Sequence, residues 1–371
     1  MSTGVSGRGA RWLAGRAVFA AFLLTIAACA GSSPSAPGAV APSATAPPPA
    51  TAARAVPTAS ATATAAPSPV SLRMPFTAIS IVNAPLWVAQ EGGYLAEEGI
   101  DASVEYVATS TTLTQAMLAG EVAVADSGQE ALVAADLAGA DLVAVAVGTD
   151  RFIFRLFGAE PVRSIPDLRG RRLGITRYGS TTDTVSRLLL KRNGLDPDRD
   201  VTIVQVGGVP EILAALQSGS IDAGALSPPT MFRAAGSYNV LVDTTEVDIF
   251  FHQAMLITPR RYLAENEATM RRVIRGYLRG VARFKQDKAF ATAITGKYTQ
   301  TDDADILEQS WAAEDRVLPR VPLIRPDAIQ VSLDEAAGQY PDARTRSPSD
   351  FYDNHLVQEQ EANGFIASLY R

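Results

Sequence analysis

Two runs of short hydroxyl side chains stand where chemistry is easiest to build. Thr109-Ser110-Thr111-Thr112 and Tyr178-Gly179-Ser180-Thr181-Thr182 each follow a strand-like stretch and open a helical one. Such residues either cap the helix's free N–H groups or join them in holding an acceptor, an oxyanion above all. Gly179 would let backbone approach a ligand as closely as a side chain. Other strand ends add Asn83 and Trp87, then Ser127 and Gln129 in Asp126-Ser127-Gly128-Gln129, then Ser227, and finally His252. Trp87 suits either stacking on a ligand or packing in a core. Ser127 and Gln129 offer neutral hydrogen bonds, although Asp126 or Ser127 would equally serve as caps. A lone His252 is either a ligand contact or a buried structural group. The pocket these residues imply is rich in hydroxyls, amides and aromatics, without an obvious Lys or Arg.

The enzyme classes with recognisable signatures are missing. There are two histidines, His252 and His355, and a single cysteine at position 29. No zinc spacing, P-loop, nucleophile elbow or GxGxxG occurs. No catalytic residue, metal or cofactor is therefore expected, and paired carboxylates are the one acid–base alternative.

The elements that must position these residues alternate. Strand patterns at 76–82, 102–107, 122–125 and 142–147 are separated by helical patterns at 86–98, 111–118 and 129–137. The order βαβαβαβ implies parallel strands covered by helices. The alternation restarts with a strand at 172–176, a helix at 181–192 stopped by Asn193-Gly194, a strand at 201–206 and a helix at 210–217. A short strand at 221–226, a helix at 229–235 and a strand at 239–242 complete it. A strand at 250–257 and a helical tail to about 337 follow, with a last helix at 356–369. The tail needs a sheet to lie on, so 250 onward is expected to return to the first unit. The expectation is an α/β fold of two doubly wound lobes, 71–157 with 250–371 and 158–249. Crossings near 151–157 and 248–252 would form a hinge, and ligands belong at the carboxyl ends of the strands.

Cys29 ends an apolar run, Val18–Ala28, preceded by Arg8, Arg11 and Arg16 with no acid. That is a secretory leader, too short to span a bilayer as a stable helix. Its small residues ending on Cys29 resemble a bacterial lipobox. The resemblance implies cleavage after residue 28, lipidation of Cys29 and membrane attachment through that lipid. Residues 30–70 are almost wholly Ala, Pro, Ser and Thr, with nine prolines and one charge, Arg54. Such a stretch has little to bury and reads as a semi-stiff tether reaching on the order of 100 Å. Residues 29–70 are thus lipidated Cys plus tether, leaving a body of about 300 residues, one large or two medium domains. Loss of the leader takes the formal net charge of −6 down by three, to −9. An acidic surface argues against a nucleic-acid partner.

Several segments together resemble a known family. Pro85-Leu86-Trp87-Val88-Ala89-Gln90-Glu91-Gly92-Gly93-Tyr94-Leu95-Ala96-Glu97-Glu98-Gly99-Ile100 is similar to a recurrent segment of solute-binding proteins of ABC transporters. The class is that of nitrate, sulfonate and taurine, with the thiamine-pyrimidine-synthase-like and riboflavin-binding relatives. Leu118-Ala119-Gly120-Glu121-Val122-Ala123-Val124-Ala125 fits it, with Ala123 where Asp is usual. So do Ile165-Pro166-Asp167-Leu168-Arg169-Gly170, Gln217-Ser218-Gly219-Ser220-Ile221-Asp222-Ala223 and Tyr352-Asp353-Asn354. The resemblance implies a type II periplasmic-binding fold that captures a small-molecule ligand. It further implies delivery to an ABC permease with its ATPase, by a monomeric lipoprotein of the cell envelope. It favours a sulfonate, taurine or nitrate-like oxyanion, with a pyrimidine or flavin as the other option. A ligand-sensing lipoprotein is the alternative function. Pyrimidine-biosynthesis enzymes are a more distant one, whose cysteine-rich motif this chain lacks.

Overall fold

The computed structural model describes residues 68–371 apart from Thr109 and Asp248, and apart from the side chains of Ser110 and Thr111. The leader, Cys29, the tether up to residue 67 and the Thr109 candidate lie outside the described residues. Among the described residues ten strands are formed: β1 Val70–Arg73, β2 Ile100–Ser103, β3 Ala125–Ser127, β4 Leu142–Val147, β5 Arg155–Gly158, β6 Arg172–Ile175, β7 Thr202–Gln205, β8 Ala223–Leu226, β9 Asn239–Asp243 and β10 Met255–Pro259. The helices that frame them include α1 Ala84–Glu91, α2 Tyr94–Glu97, α3 Ser110–Leu118, α4 Gln129–Leu137, α5 Thr181–Arg192, α6 Val209–Gln217, α7 Thr230–Arg233 and α8 Arg260–Glu265. After them come α9 Glu267–Gln286, α10 Lys288–Thr299, α11 Ala304–Val317, α12 Pro326–Ala336, α13 His355–Ala362 and α14 Phe365–Ser368. Among the described residues no helix is long and apolar enough to cross a membrane.

The strands form two groups with one plan. In the first, β1 pairs with β2 and β10 lies between β3 and β4, while Phe76 bridges to both Tyr106 and Asp126 and so joins the two parts. The second is a five-stranded sheet in the order β7-β6-β8-β5-β9. The expectation of parallel strands throughout is corrected in both. β10 runs antiparallel to β3 and β4, and β5 runs antiparallel to β8 and β9. The reason is topological. β5 and β10 are the first strands made after the chain crosses from one group to the other. A strand that starts at the shared space between the sheets must run away from it, against neighbours whose carboxyl ends point there. The two connecting segments lie side by side, with an antiparallel bridge between Arg151 and Phe250 and a 3.1 Å bond from Phe251 N–H to Asp150 O.

Local differences have local causes. The expected strand at 76–82 instead leaves the sheet after Phe76, and Ile81–Asn83 forms a 3₁₀ turn into α1. The first strand begins at Val70, inside the stretch read as tether, because its backbone pairs with Ile100–Ser103. The helix expected at 86–98 breaks at Gly93, whose φ of +74° suits glycine. The last helix breaks likewise at Gly364, at φ +80°.

The first core centres on Trp87, fully buried, stacked on Tyr298 at 4.6 Å and edge-on to Phe76 at 5.2 Å. α9 lies against α1 where Gly280 permits it. A Cβ there would stand 2.5 Å from the Pro85 carbonyl oxygen. The second sheet carries its own apolar clusters, one around Leu173, Ile175 and Leu190 and another around Ile212, Leu216 and Ile221.

Candidate functional site

A cavity of about 170 Å³ lies between the two sheets. A single water needs only about 10–15 Å³ on the same measure, so the space suits a small molecule. Its walls come from the carboxyl ends of strands. The first group supplies the loop Thr77–Ser80, Tyr106, Ser127 and Glu130. The second supplies Thr176 and Arg177 after β6, Gly179–Thr182 at the start of α5, Gly207–Glu211 at the start of α6, and Ser227 after β8. Phe154 and Gln253 from the connecting segments close the base. The walls touch where Ser80 Oγ donates to Pro228 O at 3.1 Å and Thr181 Oγ1 donates to Glu130 Oε1 at 2.7 Å.

Of the residues singled out in the sequence, Ser127, Gly179, Ser180, Thr181, Thr182 and Ser227 line this cavity. Ser110 and Thr111 open α3, and nothing is described of their side chains. Asn83, Trp87, Gln129, Tyr178 and His252 are placed off this wall, which corrects their reading as wall residues. Trp87 belongs to the core. Asn83 is buried and its amide donates to Ala78 O at 2.6 Å, holding the Thr77–Ser80 loop from behind. Gln129 is fully buried, donating to Ala328 O at 2.6 Å and accepting from His252 N–H at 2.8 Å. His252 is buried too, its Nε2 accepting from Arg325 N–H at 2.9 Å. Burial drives its pKa down to about 4, so the imidazole is neutral. Tyr178 turns outward, 55% exposed, and its hydroxyl donates to Ile203 O at 3.1 Å.

Within α5's first turn, capping takes most of the hydroxyls. Ser180 is the N-cap, accepting from Asp183 N–H. Thr176 N–H donates to Thr182 Oγ1 at 2.9 Å, and Ser180 Oγ donates to Arg177 O at 2.7 Å. Thr181 alone reaches across to the other wall. Asp126 caps nothing: it lies in β3, and Gly128 is the N-cap of α4.

The charged wall residues escaped the sequence reading. Arg177 corrects the expectation of a pocket without a base, and Glu130 and Glu211 add two acids. The Gly207-Gly208-Val209-Pro210-Glu211 run carried the same strand-end signal as the others and could have been found by it. Glu130 differs from an ordinary surface acid. Burial pushes its carboxyl up to about 7, against the lowering effect of the Thr181 hydrogen bond. Its own backbone N–H also acts to lower it, and Oε2 is sealed from solvent.

Behind β3 lies a second polar group that does not line the cavity. Glu314 is fully buried and accepts from Thr149 Oγ1 at 2.6 Å, and burial pushes it up to about 8. Asp126 is raised by burial and by the Glu314 charge, and Tyr277 is raised by burial and by both carboxylates. Among the described residues, no cluster of three or more His, Cys, Asp or Glu is placed to hold a metal.

Residues 80–289, more than half of the chain, match the family described as NMT1/THI5 like. The chain belongs to the NMT1/THI5-like family. Among curated relatives it is 28% identical over 268 residues to the riboflavin-binding protein RibY of Chloroflexus aurantiacus, covering 70% of this chain and 71% of RibY. The fold is the α/β periplasmic-binding-protein fold. The periplasmic nitrate-binding protein NrtA of Synechocystis PCC 6803 superposes with TM-score 0.68 at 13% identity, covering 82% of this chain and 92% of NrtA. The alkanesulfonate-binding protein SsuA of Xanthomonas axonopodis pv. citri, bound to MOPS, does so with TM-score 0.63 at 19% identity, covering 74% of this chain and 94% of SsuA.

Proposed function

We propose that this protein is the extracytoplasmic solute-binding component of an ABC importer. It captures a small molecule between its two lobes and delivers it to a membrane permease with its ATPase. The observation that carries this reading is the cavity, walled by strand ends of both sheets and by both connecting segments. Nitrate, alkanesulfonate and riboflavin binders among the similar proteins support the same role. The lobes are 71–157 with 250–371 and 158–249, and the adjacent connecting segments act as the hinge. A ligand touching both walls favours the closed arrangement, which is all that a population shift requires. The role is binding, and no reaction is assigned to the cavity. Cleavage after residue 28 and lipidation of Cys29 would anchor the chain, with the Ala/Pro/Ser/Thr-rich stretch as its tether.

The test is a thermal-shift panel of alkanesulfonates, taurine, nitrate, aminopyrimidines and flavins, followed by small-angle scattering with any compound that responds. A ligand at 100 times its dissociation constant stabilises by about 2.7 kcal/mol, several degrees in a body of this size. The expected result is a higher midpoint together with compaction. Binding with no change of dimensions would overturn the closure mechanism.

A further inference from the structure

Beyond the connecting segments, the second sheet and its helices meet the rest of the chain on two flanks of the cavity, and the two flanks are built differently. On one, α7 lies against α11. Ala313 of α11 is buried in the apolar cluster of Ile212, Leu216 and Met231. Arg233 of α7 donates to Gln300 O at 3.4 Å and to Thr301 Oγ1. Pro228 O accepts from Ile81 N–H at 3.4 Å as well as from Ser80 Oγ. On the other flank α5 faces α4 and α12, and the contacts are thinner. Val331 of α12 is only half-buried, at the rim of the cluster around Leu173 and Leu190. The polar contacts there are Thr181 to Glu130 and an ion pair, Lys191 Nζ to Glu335 Oε2 at 2.6 Å, whose side chains are 48% and 22% exposed.

Packing on this second flank is also incomplete. An open groove of about 520 Å³ runs between α5 and the α4–α12 side. Glu130 and Gly179 line both this groove and the inner cavity, so those two residues form the partition between the spaces. Separating buried apolar surface costs free energy in proportion to its area. An exposed ion pair holds little, and salt screens what it holds. The α5–α12 flank is therefore the easier one to part. We infer that the cleft opens unevenly: α5 swings away from α4 and α12, with Lys191–Glu335 as the latch, while the α7–α11 flank stays together as a pivot. The groove beside the latch is then the solute's way into the cavity. This rests on the cavity being the solute site.

The experiment reads access to the cavity without a solute. Cys29→Ser removes the chain's single thiol, and Ser127→Cys places one in the cavity wall, where the native side chain is 3% exposed. The probe is methyl methanethiosulfonate, a small uncharged thiol reagent, which reaches that position only when the cleft opens. Lys191→Met and Glu335→Gln are each added to this reporter chain and compared with Arg233→Met. Both latch variants should react about two- to fivefold faster. Arg233→Met should react at the reporter's own rate, because a contact kept in both states shifts no equilibrium. Raising salt from about 0.02 M to about 0.5 M should speed the reporter chain and have little effect on Lys191→Met. Thermal midpoints within a few degrees of the reporter's would show that the variants fold. Should a latch variant fold poorly, the salt dependence of the reporter decides by itself.

Unchanged rates in the latch variants, an equal or greater rise in Arg233→Met, no salt dependence, or a thiol that never reacts in the folded chain would each overturn the inference. The solute-binding role would stand, since the reagent reports access whether or not a solute binds. Silence across the thermal-shift panel is a separate result, which would remove the solute role and the inference with it whatever the thiol rates.

Discussion

Replacing Glu314 by Gln should flatten the dependence of stability on pH. Glu314 is fully buried, with Thr149 Oγ1 donating to Oε1 and no partner for Oε2. Burial raises its pKa from 4.5 to about 8, the Lys285 charge works against that, and Asp150 and Asp315 work with it. Asp126 and Tyr277 interact with the same carboxyl electrostatically and are themselves raised. In the unfolded chain the carboxyl titrates near 4.5. Between 4.5 and about 8 the folded state therefore holds a proton that the unfolded state has lost. Stability from this group is full below 4.5, declines as pH rises through that window, and is gone above about 8. A displacement from 4.5 to about 8 corresponds to on the order of 5 kcal/mol. The assay is urea unfolding of wild type and Glu314→Gln at pH 5.5, 7 and 8.5. Glutamine keeps the acceptor for Thr149 and cannot ionise. The variant should be more stable than wild type at pH 8.5, with the advantage shrinking toward pH 5.5. The smaller slope that remains should come from the other carboxyls that burial raises, Asp126, Glu130 and Asp150. Parallel pH profiles for the two proteins would refute the reasoning, because they would mean that Glu314 titrates alike in both states.

Four further outcomes follow from particular contacts. Trp87→Ala should cost about 3–5 kcal/mol by urea unfolding, because the indole is wholly buried between Phe76 and Tyr298. Ligand affinity of the folded protein should change little, since the indole does not line the cavity. Gly280→Ala should cost about 1–3 kcal/mol on the same measurement, since its Cβ would press on the Pro85 carbonyl and on Ala89. The His252 imidazole should titrate by NMR near 4. Its folded value is depressed, so its contribution to stability is present above about 6.5 and lost as pH falls toward 4. Cys29→Ser should move the protein from the membrane to the soluble fraction of the producing cell, and an unchanged distribution would remove the lipid anchor.

Where element boundaries rest on local rules, they were legible in the sequence. α5 runs from Thr181 to Arg192 as expected, because Ser180 caps it and Gly194, at φ +74°, stops it. β4 occupies Leu142–Val147 as expected, because a wholly apolar run bounded by Asp141 and Gly148 has only a buried sheet to go to. β5 was not legible. Arg155-Leu156-Phe157-Gly158 differs little in pattern from a connecting segment, and it becomes an interior strand only because β8 and β9 form on either side. The site divides in the same way. Serines, threonines and glycines at strand ends marked much of the second wall, because the strand-to-helix turn is a local event. Trp87, Gln129 and His252 carry the same residue types as ligand contacts. Nothing in the chain's order says that Tyr298, Ser332 or Arg325 will be there to cover or bond them.

What the sequence determined by itself was therefore the alternation of strands and helices, the turns that end them and the α/β class, all set by interactions within a few residues. It also held segments that resemble the family, and residues 80–289, which match it, contain all of them but Tyr352-Asp353-Asn354. Only the tertiary structure decided which strands run antiparallel, since that depends on the side from which the chain enters each sheet. It alone brought Glu130 of α4 against Thr181 of α5, 51 residues apart. The charge state of that carboxyl depends on how completely both walls exclude water, and no stretch of sequence encodes that separately from the fold.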